Sequence, residues 1–385
     1  MNGIPVRIWV EGKLNYYGGG ERIAIAICNY LYSKGFYAAI IENSRFYLKG
    51  RVTDSFISEA CHCQVLKKEF INPSLLPKLQ QDLPKIRDLI EESGVSLIFV
   101  RRIPPNKYLR EMKNKNVSAI LCLHGIALEK LRLNSPFIIA VQILMRFQLR
   151  RLAHYVGGNI FVQALTKYQS DYLVSHGASS DNIMVIYNSV DPAPFSVGRN
   201  DSEFRVIFIG RIEKIQKGIP TLLKVANLFE SLNSNIRLVI IGTGRDDKLL
   251  GKFPDNTYVL GNITDEEKSE QLKSSNLMVV TSNLESFGLV VLEGLFSGLP
   301  IVSTPVSGPV EIISNDSDFG TISTFSPTDI ASCINKYYED WLSDKRKYYD
   351  QKIRIRDKSL KLFKLEAMFE SYESAVRLAF RKSGH

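Results

Sequence analysis

The sequence predicts an α/β protein with two parallel sheets, each covered by helices. Three observations carry this. Short apolar strands alternate with helical stretches. The alternation runs to about residue 187, stops in a Pro- and Gly-bearing polar stretch, and restarts near residue 205. The length, 385 residues, is too great for one ordinary core and suits two domains of about 150 to 200 residues. Strands alternating with helices imply parallel sheets buried on both faces, and two such runs imply two Rossmann-like domains.

The elements follow in order. VRIWV (6–10) leads through a Gly-rich turn to ERIAIAICNYLYSKG, where Ile23, Ile27, Tyr30 and Leu31 make the stripe of an amphipathic helix. Segments 38–41, 96–100, 119–123 and 159–163 are further buried strands. NSVDPAPFSVGRNDSE (188–203) breaks the apolar period and reads as a linker. RVIFIG (205–210) restarts the pattern, with Ile219, Leu222, Leu223, Ala226 and Phe229 on one helical face. Strands follow at 236–242, 257–260, 276–280 and 300–304. The last forty residues read as helical. The expected domains are 1–190, 191–344 and a helical segment 345–385.

The composition is that of a globular protein. The start, MNGIPVRIWV, reads as a first strand and not as a secretory leader. The longest apolar stretch, PFIIAVQILM (136–145), is about half of the ~20 residues a membrane span needs. Five cysteines form an odd, scattered set, and Cys61-His62-Cys63 has no partner pair, so a reducing, cytoplasmic setting is expected and a zinc site is not. The net charge of +9 divides into +10 over 1–190, −8 over 191–344 and +7 over 345–385. A basic first half can meet an anionic membrane, an acidic substrate or nucleic acid, or can simply be solvated.

Open α/β sheets bind ligands at the carboxyl ends of their strands. Arg211 and Lys217 follow strand 205–210, where two cations beside a helix start can hold a diphosphate. Gly242 and Gly244 follow strand 236–241, where they allow close approach of a base or ribose, or make an ordinary tight turn. After strand 276–280 comes ESFGLVVLE (285–293). A helix starting near Gly288 would put Glu285 in the loop and Glu293 about one and a half turns in, with the amides of Phe287, Gly288 and Leu289 facing an anion. A buried glutamate must be satisfied by something.

Glu-x7-Glu followed by GLPIV, and preceded by GRIEKIQKG, closely resembles the retaining glycosyltransferases of family 4, with the GT-B fold. The segments GGGERIAIAICNYLYSKG, LTKYQSDYLVSHGASSDNIMVIYNSVD and GNITDEEKSEQLKSSNLMVV are similar to theirs in the same order. The resemblance implies two Rossmann-like domains facing across a cleft. It implies that Arg211 and Lys217 hold the donor diphosphate, Glu293 the ribose and Glu285 the donor sugar, with the amides of Phe287, Gly288 and Leu289 beside it. Gly19 and Gly20 would approach the donor phosphates, and His124 would sit near the reacting sugar or acceptor. Ser286 and Ser189 stand where Gly is usual in the family.

The implied activity is transfer of a sugar from a UDP- or GDP-activated donor, with retention and without a divalent metal or other cofactor. The acceptor would be a glycan or a lipid-linked glycan, in cell-surface polysaccharide or glycoprotein glycan assembly. Asp316-Ser317-Asp318 lies in a polar loop away from any expected metal position. Arg101, Arg102, Lys107 and Arg110 lie in the densest basic stretch and are the candidate acceptor or membrane face, so a peripheral place on the cytoplasmic membrane face is expected. The alternatives are a sugar phosphorylase or nucleotide-sugar epimerase of the same fold, and a basic nucleic-acid-binding protein. No recognised nucleic-acid motif supports the last.

Overall fold

The computed structural model describes all residues except 1–2, 12, 15–18, 44–53, 71–82, 93, 130–135, 233–234 and 384–385. It divides into two compact units. Met1–Leu128, Ala140–Asn188 and Leu365–His385 form the first; Glu129–Ile139 and Ser189–Lys364 form the second.

In the first unit, β1 (Pro5–Val10), β2 (Tyr37–Asn43), β3 (Gln64–Lys68), β4 (Val95–Phe99), β5 (Ala119–Cys122), β6 (Ile160–Ala164) and β7 (Ile183–Val185) pair in parallel, in the order β3-β2-β1-β4-β5-β6-β7. Every residue of β4, β5 and β6 is buried, as a strand covered on both faces requires. The covering helices include α1 (Gly19–Ser33), α2 (Asp54–Ala60), α3 (Ile86–Glu91), α4 (Asn106–Asn114), α5 (Pro136–Ala153) and α6 (Lys167–Ser175). On α4, Tyr108, Leu109 and Met112 are buried, which turns Lys107 and Arg110 outward. The strand order reverses between β1 and β4, and such a reversal opens a crevice at the carboxyl ends.

The second unit repeats the plan. β8 (Phe204–Ile209), β9 (Ile236–Ile241), β10 (Thr257–Gly261), β11 (Leu277–Val280), β12 (Ile301–Ser303) and β13 (Gly320–Ile322) lie in the order β10-β9-β8-β11-β12-β13, all parallel. The reversal falls between β8 and β11. Helices α7 (Ile219–Leu232), α8 (Asp265–Lys273), α9 (Leu289–Phe296), α10 (Ser307–Ile313), α11 (Pro327–Ser343) and α12 (Lys345–Leu362) follow their strands. Local chemistry sets the starts. Thr264 and Glu267 form a capping box on α8, and Ser326 caps α11 ahead of Pro327. Phe204 packs among Tyr338, Trp341 and Tyr348, with ring centroids 5.5 to 6.1 Å away, and ties α11 and α12 to the sheet.

Three features depart from the sequence reading. Strands β3, β7 and β13 were not foreseen. β3 is an edge strand with charged residues and β13 has three residues without an apolar run, while β7, the apolar IMV, is only three residues long. The basic tail is not one body. α12 belongs to the second unit, and the last helix, α13 (Leu365–Lys382), belongs to the first. The basic residues of α12 answer acceptors of the second unit. Lys358 binds Asp316 and Asp318, Arg356 donates to the carbonyls of Phe195 and Phe296, and buried Lys352 donates to those of Gly198 and Ser275, both at 2.7 Å. Burial pushes the Lys352 ammonium down to about 7. Finally, the cysteines are less scattered than expected. Cys28 of α1 and Cys63 form a disulfide, and the Cys61 sulfur lies 3.2 Å from that of Cys63. The pair is 35 residues apart in sequence, and only the packing of α1 beside β2 and β3 brings it together.

Candidate functional site

The loops after β8 and β11 meet at the crevice of the second unit. The Thr281 hydroxyl donates to the Lys217 carbonyl at 3.0 Å, and the Asn283 amide nitrogens donate to the carbonyls of Ile215 and Gln216, each at 2.8 Å. These bonds place Lys217 opposite Glu285, and Nζ lies 2.5 Å from Oε2. Both side chains are mostly buried. Arg211 stands nearer solvent, donating to Glu213 at 3.2 Å and to Gln216 at 2.6 Å.

Gly288 ends the loop with φ +92°, and α9 begins at Leu289 without a side-chain cap. The left-handed turn suits glycine, and a Cβ there would sit 3.2 Å from Val291 Cγ2. The first amides of α9 therefore face outward from the helix start. Glu293, one turn further, is 7 % exposed. Its Oε1 accepts from Lys268 Nζ at 2.9 Å, while Oε2 is buried and has no hydrogen-bond partner. Lys268, on α8, also pairs with Asp265 at 3.1 Å.

The sequence left open what satisfies a buried glutamate, and the resemblance implied only sugar hydroxyls. In the structure each glutamate has a lysine, because a carboxylate taken out of water needs a counter-charge even with no ligand present. The structure also gives Gly242 and Gly244 a nearer cause. A Cβ on Gly242 would lie 2.0 Å from the Gly210 carbonyl, and one on Gly244 would lie 2.4 Å from that of Ile212. These glycines let the loops after β9 and β8 touch each other.

Asp316 caps a 3-10 turn, Asp318 lies within it, and the two share Lys358, at 2.9 and 2.7 Å. The Asp318 amide first, and Lys358 after it, hold the Asp316 carboxyl below its usual range. Among the described residues no cluster of three or more His, Cys, Asp or Glu could hold a metal ion.

One residue of this site came from an unexpected place. Glu129 belongs to the second unit although it precedes α5. Its carboxylate accepts from the amide of Glu285 at 3.0 Å and from that of Ser307 at 2.6 Å. Nothing in HGIALEK marks it. Lys268 was equally silent, being one charge among many in DEEKSEQLK.

The remaining candidates lie in the first unit. His124 follows β5, with its ring 4.5 Å from that of Phe99, its Nε2 3.1 Å from the Tyr372 hydroxyl and its Nδ1 3.5 Å from the Asn188 side-chain amide. Burial drives its pKa down to about 3, so the imidazole is neutral at ordinary pH. Gly19 and Gly20 open α1, and a Cβ on Gly20 would meet nothing within 4 Å. Gly18, the first glycine-loop residue in the quoted motif, lies outside the described residues. Arg101 binds Glu21 at 3.1 Å and Glu11 at 3.7 Å, so part of its charge is answered inside the unit. Arg102 is half-buried, while Lys107 and Arg110 are exposed.

Comparison with known proteins bears on the family and the fold. The family described as Glycosyl transferases group 1 matches residues 190–356. An uncharacterised glycosyltransferase of Methanocaldococcus jannaschii is 29 % identical over 182 residues, 42 % of this chain and 46 % of that protein. The D-inositol 3-phosphate glycosyltransferase of Paenarthrobacter aurescens is 30 % identical over 206 residues, 48 % of this chain and 50 % of that protein. The chain thus spans about half the length of the relatives it matches. The crystal structure of HepE from Anabaena, in complex with UDP and glucose, superposes with a TM-score of 0.71 at 16 % identity, covering 97 % of this chain and 99 % of that one. The chain thus has the GT-B fold, and its residues 190–356 match the group 1 glycosyl transferases.

Proposed function

We propose that this chain is a glycosyltransferase that moves a hexosyl group from a UDP- or GDP-activated sugar to a hydroxyl of a glycan or lipid-linked acceptor, with retention of configuration. The observation that carries the reading is Glu293. A buried carboxylate oxygen with no partner costs free energy, and the hydroxyls of a ribose are donors of the right kind to satisfy it. The UDP bound to HepE, a protein of the same fold, supports testing UDP-sugars first.

In this reading Arg211 and Lys217 bind the diphosphate, aided by the start of α9. Lys217 exchanges part of its contact with Glu285 for phosphate oxygen, which frees Glu285 to accept from a sugar hydroxyl. The amides of Phe287, Gly288 and Leu289 serve sugar and phosphate, and Gly242 and Gly244 keep the adjoining loop narrow. In the first unit, Gly19 and Gly20 serve the donor phosphates and His124 the reacting sugar or acceptor. The bond from the anomeric carbon to diphosphate oxygen breaks, and the bond to acceptor oxygen forms on the same face. The acceptor proton passes to the departing phosphate. Fixed positive charge stabilises the leaving group, so no metal or cofactor is assigned a step.

We also propose a peripheral membrane contact through the first unit. On α5, Ile143, Leu144 and Phe147 are exposed beside Arg146 and Arg150, and Lys107 and Arg110 are exposed on α4. Apolar side chains flanked by cations suit an anionic bilayer surface. Among the described residues no helix is long and apolar enough to cross a membrane.

Thermal shift tests the nucleotide reading. UDP or GDP should raise Tm at millimolar concentration while short oligonucleotides leave it unchanged. A shift with oligonucleotides alone would favour the nucleic-acid alternative.

A further inference from the structure

We propose that Glu129 is a positioning residue that holds Glu285, and the loop it begins, in the geometry needed for sugar transfer. This rests on the transfer reading above. Glu129 stands 156 residues before Glu285 and is 1 % exposed. Its two carboxylate oxygens accept from two backbone amides, those of Glu285 at 3.0 Å and Ser307 at 2.6 Å. These amides lie in the loop after β11 and at the start of α10, which follows β12, so one carboxylate joins the exits of adjacent strands. The joint is closed on its other side. The Ser307 hydroxyl and the Gly308 amide both reach the Glu285 carbonyl, at 3.2 and 3.3 Å.

Glu285 is thus held at its N–H, its carbonyl and, through Lys217, its side chain. Upstream the loop is tied down by the Thr281 and Asn283 bonds described above, and downstream it turns through left-handed Gly288 into a helix with no side-chain cap, so Glu129 acts where the chain leaves the anchored part. A carboxylate suits this position better than an amide. Two N–H groups converge on it, and it offers acceptors to both, as charge-assisted bonds. A glutamine offers one acceptor and would turn its own N–H toward the second donor. The bonds Glu129 accepts go to the amides of Glu285 and Ser307, beside the proposed sugar contact, so its loss should act on turnover far more than on nucleotide binding.

The test uses the full chain with Glu129→Ala and Glu129→Gln. It measures the Kd for the nucleoside diphosphate, kcat and KM with the sugar donor that the parent consumes, and backbone hydrogen exchange across 285–289 and at 307. Glu129→Ala should bind the nucleoside diphosphate within about threefold of the parent but lose on the order of 10- to 100-fold in kcat, the scale of a misplaced reacting group. Glu129→Gln should recover part of that loss, and exchange at 285 and 307 should quicken in both variants. Turnover within about twofold of the parent in both variants would overturn the proposal. So would a joint fall of nucleotide binding and turnover with Gln no better than Ala, the mark of a merely structural residue. If the Ala variant does not fold, the Gln variant is judged by the same comparison. If the parent consumes no sugar donor, the transfer reading fails, while the exchange measurement still decides whether Glu129 holds the loop.

Discussion

Glu285 and Glu293 each carry a lysine, and the two pairs predict different failures. Lys217 and Arg211 are the cations of the proposed leaving-group site. Lys217→Ala and Arg211→Ala should each lower turnover on the order of 10²-fold, read from steady-state kinetics, because each removes a fixed charge contact. Near-parental turnover in either would end that assignment. Lys268 is different, since it sits beside a carboxylate with one orphan oxygen. Lys268→Met leaves Glu293 buried and uncompensated and should cost about 3 kcal/mol in denaturant unfolding. Glu293→Gln should instead weaken UDP or GDP binding about 10- to 100-fold, the worth of a charged hydrogen bond, in a calorimetric titration. His124 adds a pH dependence. Its folded pKa, about 3, lies below the ordinary ~6.5, so the unfolded chain binds more protons between those values. Its stability contribution is therefore present above pH ~6.5 and lost as pH falls toward 3. His124→Asn should show a smaller drop in Tm between pH 7 and pH 4 than the parent, and an unchanged drop would contradict the buried neutral imidazole.

At the scale of elements, the start of α9 does most to shape the site. Supposing a helix start near Gly288 puts Glu285 of ESFGLVVLE in the loop and Glu293 inside the helix, and the helix begins at Leu289. Gly288→Val forces a β-branched residue to φ +92° and should destabilise the fold by about 1 to 3 kcal/mol, with a raised KM for the donor. Other parts of the site were not legible. Glu129 reaches the second unit from before α5, and no local pattern encodes a contact across 156 residues. Lys268 sits among the charges of α8, where only tertiary packing selects which lysine turns inward. The glycines after β9 were legible as necessary but not as to cause, since a close loop contact and a ligand contact both demand glycine. β3 and β13 were hidden for a plainer reason, since short or charged edge strands carry no apolar period, and β7 is apolar but only three residues long.

The two units share one plan, and the charge asymmetry between them is partly resolved by α12. Its lysines and arginine answer Asp316, Asp318 and backbone carbonyls of the acidic unit, so a segment that looks misplaced by net charge is placed by individual pairs. The basic first unit keeps the exposed ridge of α5 and the outward cations of α4. Co-sedimentation should show binding to anionic liposomes that weakens with salt and is lost in neutral ones; equal binding to both would remove the membrane contact from the account. The central claim, transfer from a nucleotide-activated sugar, is tested most directly by incubating the full chain with a panel of UDP- and GDP-sugars and measuring nucleoside diphosphate release. Release is expected from one donor class, unaffected by a chelator and lowered on the order of 10²-fold in Lys217→Ala. Release from none of the donors, or release equally fast in Lys217→Ala, would contradict it.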